Sequence, residues 1–258
     1  MELIDTHCHL QFKDYDNPNR VIADAKKAGV SKLICVGTDI ADSQTAIDIA
    51  TSNDNVWATV GIHPHEAKDF LASAADDAQD IQELLKKPKV VAIGEIGLDF
   101  YKNYSPREDQ IKALRMQIEA GAPTGMPFVF HVRDAFEDFW PIFDSYSNLR
   151  GVIHSFSAHK DTLDQTLSRG LYVALNGIMT FTKDSLQLEA AKAVPLNRLL
   201  LETDAPFLTP NAFRGQRCEP KHLIGTAEFL AELRGEKVEE LASATTANAM
   251  KLFGLHDE

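Results

Sequence analysis

The sequence has few cysteines, few basic residues and no long apolar run, and each shortage excludes a class of protein. Its three cysteines, Cys8, Cys35 and Cys218, are odd in number and far apart, which indicates reduced thiols rather than a disulfide framework. No apolar run approaches the ~18–20 residues that span a bilayer. The first residues, Met1 to Leu10, show neither the basic nor the apolar part of a secretory signal. We therefore expect a cytoplasmic protein without a membrane segment.

Basic residues are outnumbered by acidic ones. The chain has 26 Lys and Arg against 38 Asp and Glu, a formal net charge of −12. This charge disfavours a protein that coats nucleic acid nonspecifically, because repulsion slows its encounter with phosphate backbones. A phosphodiester substrate is still compatible with it, since bound divalent metal adds local positive charge that the residue count omits.

The chain alternates short apolar runs with amphipathic stretches. Near-continuous apolar runs are typical of strands buried on both faces of a parallel sheet. The predicted strands are Leu3–His9, Lys32–Gly37, Val56–His63, Val90–Leu98, Phe128–Val132, Gly151–Phe156, Leu171–Asn176 and Leu199–Asp204. The predicted helices are Pro18–Ala28, Ala41–Ser52, Ala74–Lys86, Pro106–Ala120, Ala135–Tyr146, Lys160–Ser168, Ser185–Ala193, Lys221–Leu233 and Val238–Leu252. Ser105-Pro106 resembles a helix N-cap followed by proline at the first helical position.

Strict alternation of strands and helices predicts an α/β fold, and eight units are the number that closes a (β/α)8 TIM barrel. Barrels of this length fold as one domain, so we predict a single domain over residues 1–258. An open doubly wound sheet is the alternative. The absence of a glycine-rich loop after the first strand counts against its dinucleotide-binding version.

Polar residues interrupt the predicted strands at their carboxyl ends. In a barrel these ends form one rim, where active sites are built. Several buried polar groups on one rim need a partner, and divalent metal is a partner that suits imidazole and carboxylate. The candidate residues are His7, His9, His63, Glu95, His131, His154 and Asp204.

Strand alternation predicts where the side chains of the first strand point. Residues i and i+2 share a face, so His7 and His9 point together and Cys8 points away, as a packed side chain rather than a ligand. Asp5 lies beneath His7 on the same face and could orient a ligand from behind. By the same rule Glu202 shares a face with Asp204.

Six segments taken together resemble the TatD family of metal-dependent deoxyribonucleases, within the wider amidohydrolase-like superfamily. They are Asp5–His9, Gly61–His65, Gly94–Asp99, His131–Asp134, His154–Ser157 and Leu201–Pro206. The resemblance covers nearly the whole chain. It implies an activity that removes nucleotides from DNA, often from the 3′ end, and a role in that activity for His63. It also implies a divalent-metal site with the ligands His7, His9, Glu95, His131, His154 and Asp204. The sequence departs from the family at Cys218, where asparagine is usual, and at Ala158, where glycine is usual.

The chemistry of phosphodiester hydrolysis then suggests roles within this set. Six nitrogen and oxygen ligands exceed the needs of one tetrahedral ion, which favours two divalent ions, Zn, Mn, Mg, Ni or Co. We expect Glu95 to bridge them and Asp204 to take a proton from the attacking water. One ion would lie on His7, His9 and Asp204 and the other on His131 and His154.

Basic residues near the predicted rim suggest an anionic substrate. With the resemblance to the TatD family they predict single-stranded DNA, because a flexible strand end enters a recessed rim more readily than the interior of a duplex. Arg133 lies two residues after a proposed ligand, and the loop Thr209–His222 carries Arg214 and Arg217. We expect these residues to bind phosphate. A salt bridge at Arg133 and a merely solvated loop are the alternatives. Few aromatic residues flank the motifs, so we expect modest base preference.

Two other functions stay open. The first is an amidohydrolase acting on a small amide, ester or cyclic substrate, although many such enzymes bridge their metals with a modified lysine where this chain offers Glu95. The second is a noncatalytic metal-binding scaffold, against which the intact ligand set counts. No obligate protein partner is evident.

Overall fold

The computed structural model describes residues 1–72 and 77–255. Its strands are β1 (Leu3–Cys8), β2 (Val30–Val36), β3 (Val56–Val60), β4 (Val90–Asp99), β5 (Phe128–Arg133), β6 (Gly151–Ile153), β7 (Tyr172–Leu175) and β8 (Leu199–Leu201). Its helices are α1 (Pro18–Lys27), α2 (Ile40–Thr51), α3 (Ala67–Ala72), α4 (Asp77–Leu84), α5 (Arg107–Gly121), α6 (Phe136–Phe143), α7 (Lys160–Ser168), α8 (Ser185–Ala193), α9 (Leu223–Arg234) and α10 (Val238–Phe253). Within these described ranges no helix has the length and apolar character needed to cross a bilayer.

The strands form one sheet in sequence order, from β1 to β8. The end of β1 bridges to the segment after β8 through Cys8 and Ala205, and the Asp204 N–H donates to the His7 carbonyl at 2.8 Å. Sequential order with helical crossovers is that of a (β/α)8 barrel, so the predicted fold class is confirmed. A doubly wound sheet would reverse its strand order at a switch point, and this sheet does not.

The chain divides into two compact units. The first comprises Met1–Cys35 and His154–Glu258, and the second comprises Val36–Ile153. In the first unit β1, β7 and β8 are buried along their whole length. In the second unit Phe128, Phe130 and Phe139 are almost fully buried and pack ring against ring. The single domain over residues 1–258 stays a prediction.

Helix α5 buries two glutamines that fix strand ends. Gln110 and Gln117 are seven residues apart and therefore lie on the same face of the helix. The Gln117 amide accepts from the Ile62 N–H at 2.6 Å and donates to the Ile62 carbonyl at 3.1 Å. Gln110 accepts from the Asp99 N–H at 2.8 Å and donates to the Ser105 carbonyl at 2.8 Å. These bonds satisfy backbone groups that leave the strand ladder just where functional residues begin.

The predicted helix Ala74–Lys86 contains α4, its residues 74–76 lie outside the described residues, and α3 was not predicted. The predicted helix N-cap was wrong. Ser105 does not cap α5, because its hydroxyl donates to the His65 carbonyl at 2.6 Å and accepts from the Lys68 N–H at 3.0 Å. A hydroxyl engaged with a distant turn is not available to the first turn of its own helix, which begins after Pro106.

Candidate functional site

The predicted site residues lie inside the last half of a strand or just beyond its end. Glu95 and His131 are inside β4 and β5, whereas His9, His63, His154 and Asp204 follow the ends of their strands. The alternation used for Glu202 and Asp204 therefore does not apply, because β8 ends at Leu201 and Asp204 has a φ of 59°.

In the first unit, His7, His9 and Asp204 aim three donor atoms at one point. The two Nε2 atoms are 3.2 Å apart, and Asp204 Oδ1 is 3.6 Å from that of His7 and 3.4 Å from that of His9. Bonds of about 2.0–2.2 Å at octahedral or tetrahedral angles place donor atoms about 2.8–3.6 Å apart. The spacing and the mixed nitrogen and oxygen donors therefore fit a divalent cation. Cys8 points away, as predicted, and its thiol contacts the Ile34 carbonyl at 3.4 Å.

Asp204 is ionised in these surroundings. Desolvation opposes its ionisation, but the hydrogen bond with His9 and the charges of His154 and His7 outweigh that cost and lower its pKa. An ionised carboxylate next to imidazoles can act as a metal ligand or accept a proton.

His154 lies against the same group. Its ring stacks on His7 at a centroid distance of 3.9 Å, and its Nδ1 is 3.2 Å from Glu202 Oε1. Glu202 is itself held by the Ser155 N–H at 2.7 Å and the Asn176 side-chain amide at 3.1 Å. A carboxylate on Nδ1 directs the lone pair of Nε2 toward a metal. The sequence analysis assigned no role to Asn176.

Asp5 holds the backbone around His7 rather than its ring. It accepts from the His7 N–H at 3.3 Å and from the Thr203 N–H and hydroxyl at 2.9 and 2.5 Å. Burial raises the pKa of Asp5 to about 7, against the opposing effect of the Thr203 hydrogen bonds. Asp5 thus ties the strand that carries His7 and His9 to the segment that leads to Asp204.

In the second unit, His63, Glu95 and His131 form another donor group. Glu95 Oε1 lies 2.7 Å from His131 Nδ1 and 3.5 Å from His63 Nε2, and the three residues can hold a metal ion. The His63 Nδ1 accepts from the His65 N–H at 3.1 Å, so the proton of the neutral His63 ring lies on Nε2. In this arrangement the His63 Nε2–H faces Glu95, and His63 could bind a metal ion through Nε2 only if its proton moved to Nδ1 and the bond from the His65 N–H were lost.

Asp99 and His65 belong to this group, although the sequence analysis gave them no role. Asp99 Oδ2 is 2.9 Å from His65 Nε2 and 3.3 Å from His131 Nε2. Burial opposes ionisation of Asp99, but the hydrogen bonds from His131, His65 and the Lys102 N–H lower its pKa. The signal was present in the sequence, since Asp99 and His65 close two of the motifs at strand ends.

The three predicted phosphate-binding arginines have different surroundings. Arg133 is exposed and lies 4.0 Å over the Tyr101 ring, and it forms no ion pair with any described residue. Arg214 lies 4.3 Å over the Phe181 ring, and Arg217, half exposed, is 3.8 Å from Asp14. The alternative of a salt bridge at Arg133 was therefore wrong for the described residues, and the guanidinium contacts an aromatic ring instead.

Exposed aromatic rings flank the candidate residues, so the expectation of few such rings was wrong. Tyr101 and Tyr104 are 59% and 66% exposed in the second unit, and Phe207 is 51% exposed in the first. Phe207 packs edge-on against Phe12, which stacks on the His9 ring at 4.6 Å. Their exposure follows from loop conformations that periodicity does not describe.

The chain is similar to known proteins over almost its whole length. A family model described as TatD related DNase matches residues 4–254. A metal-dependent hydrolase of Bacillus subtilis, YabD, is 37% identical over 98% of this chain and 100% of its own length. The 3′-5′ ssDNA/RNA exonuclease TatD of Escherichia coli K12 is 37% identical over 94% of both chains. The crystal structure of the TatD homologue YJJV from Escherichia coli K12 superposes with a TM-score of 0.90, at 28% identity and 98% coverage of both chains.

The fold, the histidine and carboxylate groups and these relatives define a metal-dependent hydrolase that acts on ester bonds. The chain belongs to the TatD-related DNase family. The expected resemblance is confirmed, and so is the expectation of an enzyme. The three cysteines are buried and form no disulfide, in agreement with the expected reduced thiols.

Proposed function

We propose that the protein is a divalent-metal-dependent deoxyribonuclease that removes nucleotides from the 3′ end of single-stranded DNA. The observation that carries the proposal is the pair of donor groups around Asp204 and Glu95, in a chain 37% identical to an exonuclease of single-stranded DNA and RNA.

The proposed ligands are His7, His9, Glu95, His131, His154 and Asp204, and the proposed occupancy is two divalent ions. When bound, the ions would polarise the phosphodiester and lower the pKa of the attacking water. Glu95 is the proposed bridge, because each of its oxygens can serve one ion. His7 and His9 with Asp204 would hold one ion, and His131 with His154 the other. The imidazole nitrogens and carboxylate oxygens suit Zn, Mn, Mg, Ni or Co to different degrees.

Two residues would move protons. Asp204 is ionised, so the carboxylate oxygen that does not bind the metal ion can accept a proton from the attacking water. His63 carries its proton on Nε2 and can donate it to a phosphodiester oxygen as the leaving group departs. The reaction then needs one base and one acid, and the chain supplies both.

Three arginines are proposed to hold the strand. Arg133 is exposed at the end of β5 and has no carboxylate partner among the described residues, so its guanidinium is available for a phosphate. Arg217 pairs with Asp14 through a solvent-exposed contact, which a phosphate could replace at little cost. Arg214 would contact the strand from the same loop as Arg217. Glu202 and Asp5 would act by holding His154 and the His7 backbone in place.

The deciding experiment compares four substrates with and without Mg or Mn. These are end-labelled linear single-stranded DNA, its circular form, single-stranded RNA and a panel of cyclic amides and esters. We expect metal-dependent release of mononucleotides from the 3′ end of linear DNA. A strand labelled at its 5′ end should therefore shorten stepwise and keep its label. Equal cutting of circular and linear DNA would refute the end requirement. Activity on the amide panel with none on DNA would establish the amidohydrolase instead.

The Glu95→Ala variant tests the bridge in the same assay. Loss of a ligand shared by both ions should lower turnover by orders of magnitude, whereas the circular dichroism spectrum should stay unchanged because the rim of a barrel governs function more than stability. Normal turnover with a deficit of one ion would count against the bridging role.

A further inference from the structure

The loop after β4 presents two aromatic rings to solvent beside the second donor group. Tyr101 is 59% exposed and Tyr104 is 66% exposed. Large aromatic side chains are normally buried, so two exposed rings within four residues need an explanation. Exposed tyrosine rings are typical of surfaces that stack flat, partly apolar ligands.

The backbone that carries the two rings is held at both ends. Gln110 is buried in α5 and bonds to the backbone of both Asp99 and Ser105, the two ends of the segment that carries the rings. Ser105 is in turn bonded to the backbone of His65 and Lys68. A platform whose backbone is held from both ends loses little conformational entropy when a ligand stacks on it.

Cationic groups flank the exposed rings. The Arg133 guanidinium lies 4.0 Å over the Tyr101 ring, and the Lys102 ammonium is 5.8 Å from the same ring. A cation next to an aromatic face matches the two parts of a nucleotide, since the phosphate pairs with the cation and the base stacks on the ring. Although the chain has a net charge of −12, the cations beside the Tyr101 ring disfavour a basic or an apolar partner at this place.

The platform is also connected to the donor group. The Tyr104 ring contacts His65 edge-on at a centroid distance of 4.6 Å, and His65 Nε2 is 2.9 Å from Asp99, which lies 3.3 Å from His131. A base stacked on Tyr104 would therefore lie one residue away from the network that orients a proposed ligand. Stacking is indifferent to base identity, because every base has a π-face.

We propose that Tyr101 and Tyr104 form a base-stacking platform that binds a nucleotide of single-stranded nucleic acid adjacent to the scissile bond. Arg133 holds the neighbouring phosphate. This inference rests on the proposed nuclease function and deepens it, because it assigns the binding of bases, without sequence preference, to residues outside the metal ligands.

The experiment measures binding by metal-depleted protein, so that hydrolysis does not interfere. The probes are a fluorescein-labelled oligothymidylate and an abasic strand of the same length, followed by fluorescence anisotropy. Wild type should bind the strand with bases more tightly than the abasic strand. Tyr101→Ala and Tyr104→Ala should each lower affinity for the strand with bases about five- to hundredfold and remove most of the difference between the probes. Tyr101→Phe and Tyr104→Phe retain the ring and should bind like wild type.

The control is Tyr146→Ala, which removes a half-buried tyrosine of the same unit that bonds to Glu119 at the opposite end of the strands. It should leave both affinities unchanged. Arg133→Ala should weaken both probes equally and reduce the dependence of affinity on salt.

Three results would overturn the inference. They are equal binding of both probes by wild type, unchanged affinity in both alanine variants, and loss of affinity in the phenylalanine variants. If wild type hydrolyses DNA and either of the first two results is found, the platform is refuted and the proposed function stands. Base-dependent binding without any metal-dependent hydrolysis would refute the proposed function instead. Circular dichroism of each variant excludes misfolding as the cause of lost binding.

Discussion

At the scale of single residues, Asp204 combines the geometry of a metal ligand with access to solvent. It is close to two imidazoles and its pKa is lowered, yet it is not fully buried. Its positive φ turns its side chain back toward the end of β1. A carboxylate so placed can serve a cation and still exchange a proton with a water molecule.

Replacement of Asp204 by asparagine keeps the shape of the side chain and removes its charge and basicity. We expect kcat for DNA hydrolysis to fall by about 10²–10⁴-fold, the usual contribution of a general base, with little change in KM. Steady-state kinetics with metal in excess would measure this. A raised KM at unchanged kcat would show that Asp204 binds substrate rather than moving a proton.

Glu202 acts through His154, and its removal should affect metal affinity rather than the fold. Glu202→Gln weakens the acceptor on His154 Nδ1, so we expect metal affinity at that group to fall by about 10–100-fold. Isothermal titration with Zn or Mn would measure the change, and Glu232→Gln on the exposed face of α9 is the matched control. An unchanged dissociation constant would limit Glu202 to holding the Ser155 N–H and the Asn176 side-chain amide.

At the scale of elements, the close approach of β4 and β5 depends on a glycine. Gly97 has a φ of 151° and pairs with His131, and a Cβ added there would lie 1.8 Å from the His131 carbonyl oxygen. The neighbour is backbone and cannot rotate away. The glycine therefore lets β5 bring His131 within reach of Glu95.

Gly97→Ala should lower the free energy of unfolding by about 3 kcal/mol, from overpacking together with backbone strain. The melting temperature should fall by about 6–12 °C for a chain of this size. Gly125→Ala is the control, because Gly125 also has a positive φ, 69°, but nothing lies within 4 Å of an added Cβ. That control should cost only about 1–2 kcal/mol, the penalty for the left-handed backbone. Equal losses in the two variants would show that the contact with His131 is unimportant.

At the scale of the whole molecule, metal binding should stabilise the fold. The donor groups bring imidazoles and carboxylates together, and a bound cation would offset their desolvation. Ligands that bind only the folded state add stability in proportion to the logarithm of their concentration.

We expect metal-loaded protein to contain close to two divalent ions by elemental analysis. At about a hundred times the dissociation constant, each ion should add about 2.7 kcal/mol and raise the melting temperature by about 5–10 °C. Chelation should reverse the shift and abolish hydrolysis. Protein that is fully active after exhaustive chelation, or that never binds an ion, would refute the metal dependence of this chain.

Much of the molecule was predictable because its signals are local and periodic. Apolar runs marked all eight strands, since burial on both faces requires continuous apolar sequence. The helix limits Lys160–Ser168 and Ser185–Ala193 were predicted to the residue. Ser105 was misassigned because a hydroxyl can satisfy any backbone group within reach, and its partners, His65 and Lys68, lie far away in sequence. Six strands end earlier than predicted, because the polar residues after them leave the ladder, whereas β4 and β5 extend one residue further than predicted.

The sequence by itself determined the order of strands and helices, the fold class, the family and the types of residue available to bind metal, because each depends on pattern or on short motifs. Only the tertiary structure decided how those residues are used. It brought Asp99 and His65 into the group around His131, placed Glu202 behind His154 and fixed the His63 proton on Nε2. It also exposed Tyr101 and Tyr104 on a loop held by Gln110. These contacts join residues that are 11 to 48 positions apart, or depend on which atom faces which, and neither is written in the periodicity of the chain.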